Sequence, residues 1–178
     1  MASLLQTAFA LSSGHVQKFA LLAILVALIG MISFTTAETD YAKYNTRVGA
    51  QFLEAKAAEA GVVATGTGLL YKVLTKGSGT KFPSKSDTVK VHYRGTLING
   101  KEFDSSYKRN SPASFGVTQV IAGWTEALQL MTVGTKLELY IPSELGYGAR
   151  GAGRDIGPNA TLVFEVELLE IVGSKDDL

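Results

Sequence analysis

The chain has 178 residues, a length that suits one domain of ordinary size with short additions and argues against two large domains. It carries 17 basic and 16 acidic side chains, and this balance argues against a general nucleic-acid-binding protein, which needs a basic surface. It contains no cysteine, which excludes disulfides, thiolate nucleophiles and thiolate metal sites.

The first 37 residues differ in character from the rest of the chain. Lys18 is their only formally charged residue, and residues 19–34 form an uncharged apolar run. Thr35 and Ala37 place small residues where a signal peptidase reads its substrate, so we expect a signal peptide that is cleaved after Ala37. The apolar run also approaches the length that spans a bilayer, so an uncleaved signal anchor formed by residues 19–37 is the alternative.

Residues 38–68 are predicted to form a short helix followed by a linker. Within 41–60, apolar residues such as Val48 and Phe52 are separated by three or four positions, and Gly61 is placed to end the helix. Such a short helix is marginal alone, so it either packs on the following domain or serves as a spacer. The remaining residues up to 68 are rich in Gly and Thr and are predicted to form a linker.

From residue 69 onward an alternation of apolar and polar residues predicts β-strands. The predicted strands are 69–74, 89–97, 136–141 and 161–171. Asn99-Gly100 predicts a tight hairpin, and 124–131 is predicted to form one short helix. Residues 69–173 therefore form a predicted α+β domain, in which an antiparallel sheet is covered on its apolar face by the helix.

Two motifs that suggest other chemistry fail in their context. Residues 146–151 satisfy the dinucleotide pattern G-x-G-x-x-G, but Gly157 and Pro158 soon follow and no helix can form there, so a surface loop is predicted. His92 stands alone on the polar face of a strand, where a solvated histidine is expected. We therefore expect neither a metal site nor a catalytic Ser-His-Asp triad, and no cofactor.

A set of aromatic and apolar residues surrounds one carboxylate in the remaining sequence. Its members are Tyr93, Phe103, Asp104, Phe115, Val120, Ile121, Trp124, Tyr147 and Phe164. By composition alone this set would be read as an ordinary aromatic core. The order of the local sequence segments around these residues favours a binding site instead.

Five of these segments closely resemble, in the same order, the signature segments of FKBP-type peptidyl-prolyl cis-trans isomerases. They are 91–93, 100–106, 120–124, 145–148 and 160–169. The resemblance covers about residues 68–172. Residues 52–73 further resemble the macrophage infectivity potentiator branch of that family.

The resemblance implies a twisted antiparallel sheet wrapped around one short helix, with a pocket between them. It implies catalytic roles for Tyr93, Phe103, Asp104 and Tyr147. It implies substrate-binding roles for Phe115, Val120, Ile121, Trp124 and Phe164, with Trp124 as the pocket floor. The implied activity is isomerisation of X-Pro bonds in secretory-pathway proteins; a non-catalytic proline-binding chaperone and a membrane-anchored scaffold are the alternatives. The implied ligands are proline-containing polypeptides and macrolide inhibitors such as rapamycin or tacrolimus.

The C-terminal tail, residues 174–178, bears on where the protein works. It ends in Lys-Asp-Asp-Leu, which resembles the Lys-Asp-Glu-Leu retrieval signal, so with the leader it predicts the lumen of the endoplasmic reticulum. Membrane contact is expected only if the leader stays attached. Asn159 begins a glycosylation sequon, which is weak support for a lumenal protein. We expect a monomer, because 41–60 is too short for the seam of several heptads that a helical dimer would need.

Overall fold

The computed structural model of the protein describes Val26 and residues 39–173. The predicted signal peptide, its anchor alternative and the C-terminal tetrapeptide therefore lie outside the described residues, Val26 excepted. No helix in the described part of the chain is long and apolar enough to cross a membrane.

The first helix, α1, spans residues 39–57 and packs on the domain that follows it. The Phe52 ring meets the Tyr140 ring edge to face at 5.9 Å, and the Asn45 side-chain amide donates to the Pro158 carbonyl at 2.8 Å. A Cβ built on Gly49 would lie 2.3 Å from the Thr161 hydroxyl, so the missing side chain permits this close approach. Of the two expectations for this helix, docking rather than a spacer role is correct.

In the described part of the chain the sheet has seven strands, and every strand pair is antiparallel. The strands are β1 (Val62–Ala64), β2 (Leu70–Thr75), β3 (Thr88–Leu97), β4 (Glu102–Ser105), β5 (Ala113–Gly116), β6 (Lys136–Ile141) and β7 (Leu162–Val172). Their order is β1-β2-β6-β7-β3-β4, and β5 also pairs with β3. The predicted α+β class and antiparallel sheet are confirmed.

One face of the sheet packs on the second helix, α2 (Ala122–Leu128). On β3, Val89, Val91 and Tyr93 are buried while the intervening residues are more exposed, as the alternation predicted. The alternate residues of the last two long strands are also buried: Leu137, Leu139 and Ile141 on β6 and Leu162, Phe164, Val166 and Leu168 on β7. Trp124 from α2 packs against this face and joins the strands in one core.

Several details differ from the sequence predictions. The predicted linker contains β1, and β4 and β5 were not predicted as strands. The second helix ends at Leu128 rather than at residue 131. His92 is not a solvated histidine: its Nδ1 lies 2.9 Å from the Ser106 Oγ, and its ring stacks on Tyr107 at 4.6 Å.

Candidate active site

A pocket of about 640 Å³ opens between α2, the concave side of the sheet and the loop that precedes β7. All nine residues that the sequence singled out line it. The sheet contributes Tyr93, Phe103, Asp104, Phe115 and Phe164; the start of α2 contributes Val120, Ile121 and Trp124; Tyr147 comes from the loop. Residues separated by up to 71 positions in sequence thus meet in one pocket.

The floor of the pocket is the Trp124 indole, which is only 4% exposed. Tyr93, Phe115 and Phe164 each meet it edge to face, at 5.2, 5.8 and 5.2 Å between ring centroids. Edge-to-face packing is a favourable arrangement of aromatic rings, and three such contacts hold the indole in one orientation. The floor of the pocket is therefore an apolar surface with a fixed orientation.

The side wall depends on a glycine. Phe103 and Phe164 pack edge to face at 5.4 Å over Gly95 of β3. A Cβ built on Gly95 would lie 2.6 Å from the Phe103 ring and 2.7 Å from the Phe164 ring. Any larger residue would push both rings toward the cavity, so this position sets the width of the wall.

The polar side of the pocket is a three-residue cluster of Tyr93, Asp104 and Arg109. The Tyr93 hydroxyl donates to Asp104 Oδ2 at 2.5 Å, and the Arg109 guanidinium bonds both to Asp104 Oδ1 and, at 2.7 Å, to the Tyr93 hydroxyl oxygen. Burial raises the pKa of Asp104, but the hydrogen bonds from Tyr93 and Arg109 outweigh it, and the net pKa is lowered. Burial and the Asp104 carboxylate raise the pKa of the Tyr93 phenol. At neutral pH the cluster is thus a neutral phenol, a carboxylate and a guanidinium.

The Tyr147 hydroxyl and the Ile121 N–H are hydrogen-bond donors at the pocket that no described residue uses. The Tyr147 hydroxyl, on a residue 40% exposed, has no partner among the described residues. Ile121 immediately precedes α2, and its carbonyl accepts from the Trp124 and Thr125 amides. Its own N–H has no acceptor in the described part of the chain. Both donors are available to a peptide carbonyl.

The buried indole N–H of Trp124 also lacks a hydrogen-bond acceptor within the described residues. A buried polar group without a partner costs about 1–3 kcal/mol of folding free energy. The indole N–H is therefore a further donor at the pocket that no described residue uses.

The glycine-rich loop closes the pocket and contains no helix of the kind that a dinucleotide site requires. It consists of two short 3₁₀ turns, Ser143–Leu145 and Gly148–Arg150, followed by a backbone bridge in which Ala152 and Ile156 exchange hydrogen bonds of 2.8 and 3.1 Å. The predicted surface loop is confirmed. Within residues 39–173 no group of three or more His, Asp or Glu side chains is arranged to hold a metal ion.

Sequence reasoning missed several residues at this site. The further lining residues are Gln119, Ala152, Gly153, Arg154, Asp155 and Ile156. Arg109, which bonds to two of the predicted residues, was also missed. No periodicity marks these positions, because they lie in irregular segments that only the fold brings to the pocket.

Two family models match the chain. One, described as FKBP-type peptidyl-prolyl cis-trans isomerase, matches residues 79–169. The other, described as the domain amino terminal to FKBP-type peptidyl-prolyl isomerase, matches residues 8–73 and so begins inside the predicted leader.

Curated relatives agree with these models. The FKBP-type 22 kDa peptidyl-prolyl cis-trans isomerase of Escherichia coli is 55% identical over 124 residues, which cover 70% of this chain and 60% of that protein. The protein named outer membrane protein MIP of Legionella longbeachae is 49% identical over 130 residues, covering 73% of this chain and 55% of that protein. The chain thus spans little more than half the length of these relatives.

Solved structures give the same result. The crystal structure of FkpA from Escherichia coli has a TM-score of 0.77 at 45% identity and covers 83% of this chain and 69% of that one. A peptidyl-prolyl cis-trans isomerase from Pseudomonas syringae has a TM-score of 0.68 at 40% identity, covering 73% of this chain and 95% of that one. The predicted family and the likeness to its macrophage infectivity potentiator branch are confirmed, and the chain belongs to the FKBP-type peptidyl-prolyl cis-trans isomerases.

Proposed function

We propose that this protein is a peptidyl-prolyl cis-trans isomerase that binds X-Pro segments in the aromatic pocket and speeds the folding of exported proteins. The observation that carries the proposal is the apolar floor of Trp124, which three aromatic rings hold in place beside the cluster of Tyr93, Asp104 and Arg109. Membership of the isomerase family supports it.

The reaction needs no covalent step. An X-Pro bond is planar because the nitrogen lone pair is shared with the carbonyl, which gives a rotation barrier of about 18–20 kcal/mol. Water stabilises this charge-separated planar form. A proline ring seated on Trp124 leaves water, so the planar form loses that advantage, and groups that bind the twisted amide more tightly lower the barrier further.

Different pocket residues bind the substrate, act on the rotating carbonyl and exclude water. The Tyr147 hydroxyl and the Ile121 N–H hold the carbonyls of the substrate on either side of the rotating bond. Asp104, fixed by Tyr93 and Arg109, acts on the rotating carbonyl through its charge and keeps the wall in place. Phe103, Phe115, Val120 and Phe164 exclude water.

The test is the isomerisation rate of a short X-Pro peptide with Tyr147→Phe and Asp104→Ala, measured beside their thermal melts. Each variant is expected to lose about tenfold in rate and to keep its fold, since one hydrogen bond contributes about 1–1.5 kcal/mol and the apolar walls remain. Tyr107→Phe is the matched control, because its hydroxyl donates at 3.2 Å to Glu167 on the sheet and does not line the pocket.

Two outcomes of these measurements would contradict the proposal. Wild-type rates and melting temperatures in both variants would remove the site assignment. A wild-type protein that binds proline peptides without accelerating isomerisation would be the non-catalytic chaperone.

The same pocket is the expected site for macrolides such as rapamycin or tacrolimus, which should then compete with peptide in the rate assay.

For its location, we place the protein in the secretory pathway, with the lumen of the endoplasmic reticulum as the compartment. The support is the apolar leader, the cleavage pattern ending at Ala37 and the C-terminal Lys-Asp-Asp-Leu. N-terminal sequencing of the mature protein is expected to begin at Glu38. A protein that still begins at Met1 would instead be the membrane-anchored form, and deletion of the last four residues without loss of retention would exclude the retrieval signal.

A further inference from the structure

The mouth of the pocket carries three charged residues that line it: Asp104, Arg154 and Asp155. Two of them are neutralised within the protein. Asp104 bonds to Arg109, and the Asp155 carboxylate accepts from the Lys101 ammonium at 2.7 Å. Arg154 has no ion pair or hydrogen bond to any described residue. The uncompensated charge at the pocket mouth is therefore the positive charge of Arg154.

The loop tip that carries Arg154 is held in place. The tip, residues 153–155, is closed at its base by the Ala152–Ile156 backbone bridge. Ile156 is buried in the core, and the Lys101–Asp155 ion pair ties the tip to the turn before β4. Gly151 has a φ of +64°, and a Cβ there would lie 2.2 Å from the Ile156 carbonyl oxygen. The arginine is thus presented from a defined backbone, not from a free tail.

We infer that Arg154 determines substrate specificity and makes the enzyme prefer proline segments with an acidic side chain next to the proline. This inference rests on the proposed isomerase function. A peptide lying across the pocket with its proline on Trp124 brings the neighbouring side chains to the rim, where Arg154 stands. A carboxylate there gains a charge-assisted hydrogen bond, whereas a lysine meets an unpaired positive charge.

The expected size of the preference for acidic peptides follows from the exposure of Arg154. Arg154 is exposed, so its attraction for a substrate carboxylate is weakened by water and by salt. We expect a two- to fivefold preference, about the range of surface ion pairs, expressed in kcat/KM. The preference should shrink as salt is raised.

The experiment compares isosteric peptide pairs with the full protein. One pair carries Glu or Gln immediately before the proline, and the other carries Glu or Gln immediately after it. We expect the wild type to favour Glu two- to fivefold in at least one pair. Arg154→Gln should abolish this ratio, and Arg154→Glu should reverse it.

Arg150→Gln is the matched control. Arg150 lies in the same loop and is also exposed, but it does not line the pocket, so this variant should keep the wild-type ratio. A wild-type ratio of one in both pairs, or an equal loss in the two arginine variants, would overturn the inference.

Peptide affinity, measured by calorimetry on the same pairs, separates this inference from the proposed function. If the wild type isomerises the peptides but shows no Glu preference, only the inference about Arg154 fails. If no peptide is isomerised, the proposed function fails, and a Glu preference in binding that disappears in Arg154→Gln would still support the inference.

Discussion

Two tyrosines on opposite faces of the same sheet make the same chemical contact. The Tyr93 hydroxyl donates to Asp104 at 2.5 Å, and the Tyr140 hydroxyl donates to Glu138 at 2.7 Å. Both residues are buried. The pKa of each phenol is raised, mainly by burial and next by the hydrogen bond to the carboxylate. A tyrosine–carboxylate bond is therefore not in itself a sign of a functional site.

The surroundings of the two pairs differ. Tyr93 faces α2, its ring meets the pocket floor, and its carboxylate partner lines a cavity and is bound by an arginine. Tyr140 points to the other face of the sheet, where its ring is covered by Phe52 of α1 and lies 5.0 Å from the Lys56 ammonium. The same bond thus supports a concave site on one face and the docking of a helix on the other.

The largest expected effect that tests this comparison comes from removing each hydroxyl in turn. Tyr93→Phe should lower kcat/KM for a proline peptide by about three- to tenfold, because Asp104 loses one of the two groups that fix it. Tyr140→Phe should leave kcat/KM unchanged and lower the free energy of unfolding by about 1 kcal/mol. The measurements are isomerisation kinetics and denaturant unfolding of both variants. Equal kinetic losses in the two variants would show that the comparison is wrong.

The smallest expected effect concerns the thermal stability of the protein at low pH and depends on Asp104 of the Tyr93–Asp104 pair. The pKa of Asp104 is lowered in the folded protein from its usual 3.8, so ionised Asp104 stabilises the fold above about pH 3.8, and this contribution is lost as the pH falls through the lower folded pKa. The effect is small because the side chain is 42% exposed. Thermal melts of wild type and Asp104→Asn from pH 6 to pH 2 should therefore converge at the acid end. A melting difference that is constant across this range would contradict the assignment.

Much of the fold could be predicted from the sequence because apolar and polar residues alternate regularly along the long strands. β3 and β6 carry enough residues of alternating polarity to reveal both their bounds and their buried face. β1 has three residues and β5 has four, too few for a period to be visible, and β5 begins with Ala-Ser, which is weakly suited to strands. Their pairing is decided by neighbours that are distant in sequence.

The residues of the site also divide into those that could be predicted from the sequence and those that could not. The aromatic lining could be predicted because its residues, Phe115 excepted, lie in segments that resemble a known family. Arg109 could not, since it follows Asp104 by five positions within an irregular polar loop, and only the turn of that loop brings its guanidinium back to the carboxylate. Arg154 and Asp155 lie in a glycine-rich segment whose conformation is decided by the buried Ile156 and the ion pair to Lys101.

The bridge between Ala152 and Ile156 separates the charge at the pocket rim from the aromatic floor. Both of its hydrogen bonds are made by backbone atoms of Ala152 and Ile156, so a change of the Arg154 side chain leaves the bridge itself in place. Trp124 is held by the rings of Tyr93, Phe115 and Phe164, none of which belongs to this loop. The charge at the rim can therefore change while the contacts that hold the floor stay the same.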